Sequence, residues 1–451
     1  MNQANNPPRQ GLAFERVMPI FVLVFVDVLG LTVILPLLHL YGAAYGASPA
    51  QIGLLAAAFP LAQIIGVPVM GALSDRFGRK PLLLISQITT FAGFILLGVA
   101  NSFALVILSR VIDGLFGANL ATAQAALSDI TDEDNRAAGL GLTGAAFGLG
   151  FILGPVLSII ALEMTGSLAA PAFTAAGYSL ISILLTLFVF KETLPPEQRG
   201  KRRAAGDYFG PVLILRMITR LNLLVLLVML FSQQLIFFGF ETLMGLFTLS
   251  RLGFLGQANA LLFILIGIIL VTVQVRYIGK WTRRYGEHRV AQGALALLAG
   301  GLLLVAATPD QPHLFYVKAR VQFELAKQAP ATTEVIVGDI DVPLPQEGRN
   351  GIGGVLWMIA AIVPLSVGAG LIRPSINSLL TKRVAKEEYG AVLGVSSAFI
   401  SAANAAAPIL GGLIFQAYGP TMPFLSGGLL MLVLAFASLA LIQPARPVQP
   451  T

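Results

Sequence analysis

Apolar runs of about twenty residues, each bounded by short polar or glycine-rich stretches, recur along the whole chain at the length an α-helix needs to cross a bilayer. They predict twelve spans, at 17–38, 51–72, 81–99, 103–127, 138–161, 171–190, 221–248, 257–279, 290–307, 351–381, 390–415 and 420–442. The first run contains Asp27 and Pro36 and lacks a small-residue cleavage site, so it is expected to stay as a span. Composition excludes a soluble globule: 56% of the 451 residues are hydrophobic and 11% charged, against about 25% charged in a soluble domain. Mean hydropathy is +0.82. The surplus apolar surface calls for lipid, and the bilayer is the first predicted partner.

Charge then orients the spans, because translocated loops are poor in Lys and Arg. With the N-terminus inside, 22 of the 29 basic residues fall in cytoplasmic segments, five in outer loops (Arg251, Lys318, Arg320, Lys327, Arg349), and Arg110 and Arg373 within spans. The pattern predicts a multi-pass protein of the cell (inner) membrane with both termini cytoplasmic. A net charge of +7 is therefore read as a topology signal, with no nucleic-acid partner. Cysteine is absent, and His39, His288 and His313 are too scattered for a zinc site, so no metal is expected. No G-x-x-x-x-G-K-[ST] loop and no nucleophile–base arrangement occurs, which argues against an ATP-driven pump and against an enzyme. No catalytic residue and no cofactor are assigned.

The basic stretch 191–220 divides the spans six and six, giving bundles at 1–190 and 221–451. A repeat supports that division. Gly71-Ala-Leu-Ser-Asp75-Arg-Phe-Gly78 and Gly279-Lys-Trp-Thr-Arg283-Arg-Tyr-Gly286 share their glycine spacing at an offset of 208. Gly154-Pro155 corresponds to Ala407-Pro408, and Leu127-Ser-Asp-Ile to Leu380-Thr-Lys-Arg, at an offset of 253. The difference locates an insertion at 308–350. There Val317, Ala319, Val321, Phe323 and Leu325 alternate with polar residues, and a second β-prone run spans Thr332 to Leu344, which together predict a small extracytoplasmic β-hairpin. The fold class expected is an all-α polytopic protein of two pseudo-symmetric six-helix bundles plus that hairpin, a plan common among secondary transporters.

Gly71 to Leu84 reads G-A-L-S-D-R-F-G-R-K-P-L-L-L. Here the chain resembles the major facilitator superfamily, whose signature between the second and third spans is G-x-L-x-D-R-x-G-R-[KR]. The resemblance implies that Gly71, Asp75, Arg76, Gly78, Arg79 and Lys80 form a conformational latch. In it Asp75 would meet the start of the eleventh span near Gly390, and Arg79 would bridge Asp75 to Asp129. The fourth span carries Arg110, Asp113, Gly114 and Gly117, similar to the family's R-x-x-x-G-x-x-G, with an acid at Asp113 where the family commonly has a neutral residue. The fifth span, Gly144 to Pro155 with Gly150, Gly154 and Pro155, resembles the motif of the antiporter branches; Ser158 departs from its last glycine. The chain is most similar to tetracycline-efflux and related multidrug proton antiporters.

An arginine inside the bilayer costs at least a few kcal/mol unless it is paired or hydrated. Asp113, one turn on, and Asp27, in the first span at comparable depth, compete for Arg110, and these three are the proton-coupling candidates. Gln233, Gln234, Phe237, Phe238 and Glu241 suit an amphipathic substrate, with Trp357, Asn377 and Asn404 as candidates for the facing wall. Arg373 is read as snorkelling to the helix end. The function expected is proton-coupled export of small hydrophobic or amphipathic molecules by a monomer, with protons and a small-molecule substrate as partners and the proton gradient as energy source. A metabolite or sugar transporter of the same fold, and a non-transporting membrane receptor, are the alternatives.

Overall fold

In hydrocarbon only a helix or a closed barrel satisfies its own backbone, so each apolar run becomes helical. The computed structural model describes residues 14–117, 119–130, 133–199, 219–327, 342–384 and 389–442. Twelve spans among them are long and apolar enough to cross a membrane. The first six begin with α1 (Phe14–Ile34), continued through a 3-10 turn (Leu35–Leu37) by α2 (Leu38–Ala43). After these come α3 (Pro49–Phe77), α4 (Arg79–Gly98), α5 (Phe103–Phe116) with α6 (Asn119–Ile130), α7 (Glu133–Thr165) and α8 (Ala169–Phe188). The second six begin with α9 (Leu221–Leu252) and α10 (Gly256–Thr272), the latter continued through a π turn (Val273–Tyr277) by α11 (Ile278–Tyr285). They continue with α12 (Glu287–Ala306), an inserted α13 (Lys318–Lys327), α14 (Gly353–Thr381), α15 (Tyr389–Tyr418) and α16 (Met422–Leu441). Most of the basic linker, 200–218, lies outside the described residues.

The repeat is visible in the backbone. Gly78 (φ 108°) separates α3 from α4, and Gly286 (φ 79°) separates α11 from α12, each in a conformation that L side chains rarely adopt. At the opposite end α3 starts on a capping box, with Ser48 and Gln51 each accepting a backbone N–H of the other and Pro49 at the first helical position.

The insertion corrects the expected hairpin, because no strand occurs among the described residues and Lys318–Lys327 is helical. Its residues are mostly strong helix formers. An isolated edge strand would leave its polar backbone unpaired, whereas a helix pairs it internally. Val321 and Leu325, four apart, are 4% and 2% exposed, while Phe323 points outward, so the burial period is helical rather than alternating. Tyr316 anchors the insertion: its hydroxyl donates to the Pro345 carbonyl at 2.9 Å, and burial pushes its pKa up to about 12, so it stays a neutral donor. Residues 332–341 of the second β-prone run lie outside the described residues.

The two halves meet along α3–α15 and α7–α10. Contacts this close need glycine. A Cβ on Gly53 would stand 2.2 Å from the Pro408 carbonyl oxygen, and one on Gly412 would stand 2.7 Å from that of Pro49. Beside them, Asn259 of α10 donates to the carbonyl of Pro36 at 3.0 Å, and the Ala50 N–H donates to Gln416 at 3.3 Å. These contacts form a seal at the end of the molecule that carries Pro49, opposite the end that carries Asp75. The chain has no cysteine, so an Ala50→Cys/Gln416→Cys pair reports on the seal directly. A short bifunctional thiol reagent should cross-link the pair in high yield on a gel. Adding Gly53→Leu should lower that yield severalfold, and an unchanged yield would contradict the packing described.

Candidate functional site

A cavity of about 470 Å³ lies between the halves, in the range of sites for drug-sized molecules. Its first-half wall comes from α1 to α7, and its second-half wall comes from α9, α10, the π turn, α14 and α15. Phe59, Phe94, Phe151, Phe237 and Phe238 make it largely apolar. Three breaks in the spans edge this space, at Leu35–Leu37, at Gly117 and at Val273–Tyr277, and the last two place Asn119 and Gln274 against it.

Arg110 and Asp113 stand on one face of α5, three residues apart, and both are 3% exposed. The guanidinium Nη1 is 3.4 Å from Asp113 Oδ2, and its carbon lies over the Phe94 ring, 5.1 Å from the centroid. The other terminal nitrogen, Nη2, has no hydrogen-bond partner. Asp27 takes no part in that pair. It accepts a 2.7 Å hydrogen bond from Asn119 Nδ2, in the first turn of α6. The competition for Arg110 is therefore settled in this conformation in favour of Asp113, with Asp27 held separately by an amide. The broken span supplies that amide, and the carbonyls it frees are received by Gln63 Nε2, 3.0 Å from the Gly117 oxygen, and by the Ser86 hydroxyl at Phe116.

Gln233, Gln234, Phe237, Phe238, Glu241 and Asn404 all line the same cavity as Asp27, Arg110 and Asp113. Gln234 Nε2 donates to Asn404 Oδ1 at 2.7 Å, tying α9 to α15. Trp357 and Asn377 are not in its lining. Trp357 sits in the first turns of α14, 39% exposed, and donates to the Leu304 carbonyl at 2.7 Å, so it packs on the outside of the bundle. Asn377 accepts from the Ser396 hydroxyl at 3.1 Å between α14 and α15. Arg373, read from sequence as snorkelling, instead lines the cavity, and with it come Gln63, Thr90, Asn119 and Gln274, which sequence reasoning missed. Their one available signal was position: each is a polar residue inside an apolar run, and Asn119 and Gln274 lie at helix breaks.

Gly150, Gly154 and Pro155 lie in α7, which is wedged between α1 and α10. A Cβ on Gly154 would stand 2.1 Å from Thr32 Oγ1, and one on Gly150 would stand 2.4 Å from Val28. Thr32 donates to the Gly150 carbonyl at 2.9 Å. On the other side Gly148 and Phe151 abut Val271 and Gly267 of α10. The motif thus sits where one half packs on the other.

At the Asp75 end, Arg79 is 2% exposed and gathers the expected latch. Its Nη2 is 2.6 Å from Asp75, its Nε is 3.1 Å from Asp129, and Nη1 donates to Ser74. Gly71 and Arg76 lie in the last turns of α3, and Arg76 covers Phe77. Glu192, which sequence reasoning missed, accepts the backbone N–H groups of Arg79 and Lys80 at 2.9 and 3.2 Å, where the dipole of α4 favours a carboxylate. Lys80 in return donates to the carbonyls of Leu187 and Phe190 at the end of α8. The meeting of Asp75 with the helix start near Gly390 falls beside residues 385–388, which lie outside the described residues. The repeat offsets carry Arg79 onto Glu287 and Asp129 onto Lys382. Those two also pair, with Lys382 Nζ on Glu287 Oε1. The second half therefore holds the same tether with its polarity reversed, and more exposed.

The family model described as Major Facilitator Superfamily matches residues 20–323 and 351–451. Multidrug resistance protein 2 of Bacillus subtilis is 24% identical over 411 residues, covering 91% of both chains. Tetracycline resistance protein, class B, of Escherichia coli is 25% identical over 418 residues, covering 92% of this chain and 91% of that one. Among solved structures, the human organic anion transporter MFSD10 superposes with a TM-score of 0.65 at 22% identity, over 95% of this chain and 100% of its own.

Removing Arg79 takes a buried cationic partner from Asp129, whose side chain is 3% exposed, whereas Lys382 is half exposed. Arg79→Ala should cost about 3 kcal/mol, as for a broken buried pair, and Lys382→Ala less than about 1 kcal/mol, as for a surface pair. Thermal unfolding in detergent should rank the two variants in that order.

Proposed function

The chain belongs to the Major Facilitator Superfamily, and on that premise we propose that it is a secondary active transporter that exports small amphipathic molecules in exchange for protons. The observation that carries the coupling is the pair of acids, Asp27 and Asp113, in one cavity between the half-bundles, with Arg110 paired to Asp113. The printed names of the relatives, multidrug and tetracycline resistance proteins, support the substrate range. The excess of Lys and Arg at the Asp75 end supports placing that end and both termini in the cytoplasm. The Pro49 end is sealed, and Arg373 and Gln274, on the Asp75 side of the cavity, are exposed. This supports a conformation in which the cavity faces the cytoplasm.

From that state the cycle follows by electrostatics. Substrate enters beside the Arg110–Asp113 pair with an acid ionised. Rocking at the α7–α10 seam opens the Pro49 end and exposes the acid to the proton-rich side. Protonation removes the charge that held Arg110, the site rearranges, and substrate leaves. The protonated carrier then returns and releases its proton to the cytoplasm. One proton moving down the membrane potential contributes about 2.3 kcal/mol per 100 mV, enough for a concentration ratio of roughly tenfold to a hundredfold.

The test is flux of a multidrug substrate such as tetracycline or ethidium into inside-out proteoliposomes under an imposed proton gradient. Asp27→Asn and Asp113→Asn should each lower gradient-driven accumulation by about tenfold or more, the ratio that one coupled proton supports. Substrate exchange without a gradient should persist. Unchanged coupling in both variants and in the double variant would rule out these acids as the proton site.

A further inference from the structure

Of the ionisable groups that line the cavity, Arg110 is compensated by Asp113, and Asp27 is held by Asn119. Two remain, both on the second-half wall: Arg373 and Glu241. Neither makes a hydrogen bond or an ion pair with any described residue, so they are not paired with each other. Arg373 is also exposed to the cavity rather than packed away.

Its orientation follows from the helix. Ala369 and Arg373, four residues apart on α14, both line the cavity, and a Cβ on Gly370 beside them would stand 3.3 Å from Leu270 and from Val273, the first residue of the π turn that presents Gln274. The packing of α14 on α10 therefore aims the guanidinium inward. A cation inside the hydrocarbon depth, with no protein counter-charge, stays favourable only while water or an anion attends it. Guanidinium is weakly hydrated and matches a carboxylate or sulfonate with two parallel hydrogen bonds.

We propose that Arg373 seats an acidic group of the transported molecule, an amphipathic compound whose carboxylate or sulfonate pairs with the guanidinium while its apolar body lies against Phe237 and Phe238. This rests on the transporter reading and narrows its substrate class. The same seat accommodates an organic anion or the acidic end of a zwitterion, and it gives a lipophilic cation no counter-charge on α14.

The experiment is titration calorimetry on the purified full chain in detergent with three probes of one body: biphenyl-4-carboxylate, biphenyl-4-carboxamide and biphenyl-4-methylammonium. The wild type should bind the carboxylate at least about tenfold more tightly than the amide, the scale of one charge-assisted contact. Arg373→Gln should abolish that preference and leave amide binding within about twofold, which also shows an intact cavity; Arg373→Lys should restore part of it. Increasing salt should weaken the carboxylate alone. The proposal is overturned if the wild type binds none of the probes or prefers the ammonium, if Arg373→Gln keeps the carboxylate preference, or if it loses carboxylate and amide equally. Calorimetry needs no gradient, so this preference and the coupling through Asp27 and Asp113 can fail independently.

Discussion

A backbone carbonyl or amide left unpaired in hydrocarbon costs several kcal/mol, and this requirement governs where a membrane helix can break. Each of the three broken spans breaks at the cavity, and side chains meet the breaks at Pro36 and Gly117. Asn259 receives the carbonyl freed at Pro36, while Gln63 and Ser86 receive those freed at Gly117 and Phe116. The polar residues of the site are in this sense dictated by the breaks. They hold the irregular backbone, and the irregular backbone presents Asn119 to Asp27 and Gln274 to the space between the halves. One of these ties crosses between the half-bundles, since Asn259 belongs to α10 and Pro36 to the first span, so the geometry of the break is coupled to the seal.

Small residues determine how closely the halves approach. Along α3–α15 and α7–α10 the contacts are glycine against backbone or glycine against a single side chain. Van der Waals packing drives helix association where lipid removes the hydrophobic incentive. Such seams are smooth, and few interlocked side chains need to be withdrawn when one half rotates against the other. The motif in α7 packs against two partners at once, α1 on its own half and α10 on the other, and so joins the seam to the helix that carries Asp27.

Much of this was legible in the order of residues. Twelve apolar runs of the right length follow from hydropathy, because bilayer thickness leaves few alternatives, and the contacts of Arg79 with Asp75 and Asp129 were implied by the resemblance of the Gly71–Leu84 segment. What was not legible depended on tertiary direction. The alternation at 317–325 read as a strand, yet the same residues place Val321 and Leu325 on one helical face. Arg373 lies near a helix end, where snorkelling is common, and only the packing of Gly370 on α10 shows that it faces inward. Trp357 and Asn377 had suitable chemistry on the wrong faces of α14. Glu192 escaped notice because its role is to cap a helix more than a hundred residues earlier in the chain.

The reversed tethers have a consequence for how the chain assembles. Arg79 with Asp129 and Glu287 with Lys382 each close inside one half-bundle, at equivalent places of the repeat. Its two copies could dock wrongly during insertion, with a span of one half taking the seat of its counterpart. Under the polarity found here, that exchange would set Arg79 against Lys382 and Glu287 against Asp129, two like-charge encounters in place of two attractions. The inversion thus gives each of these helices a charge opposite to that of its counterpart in the other half.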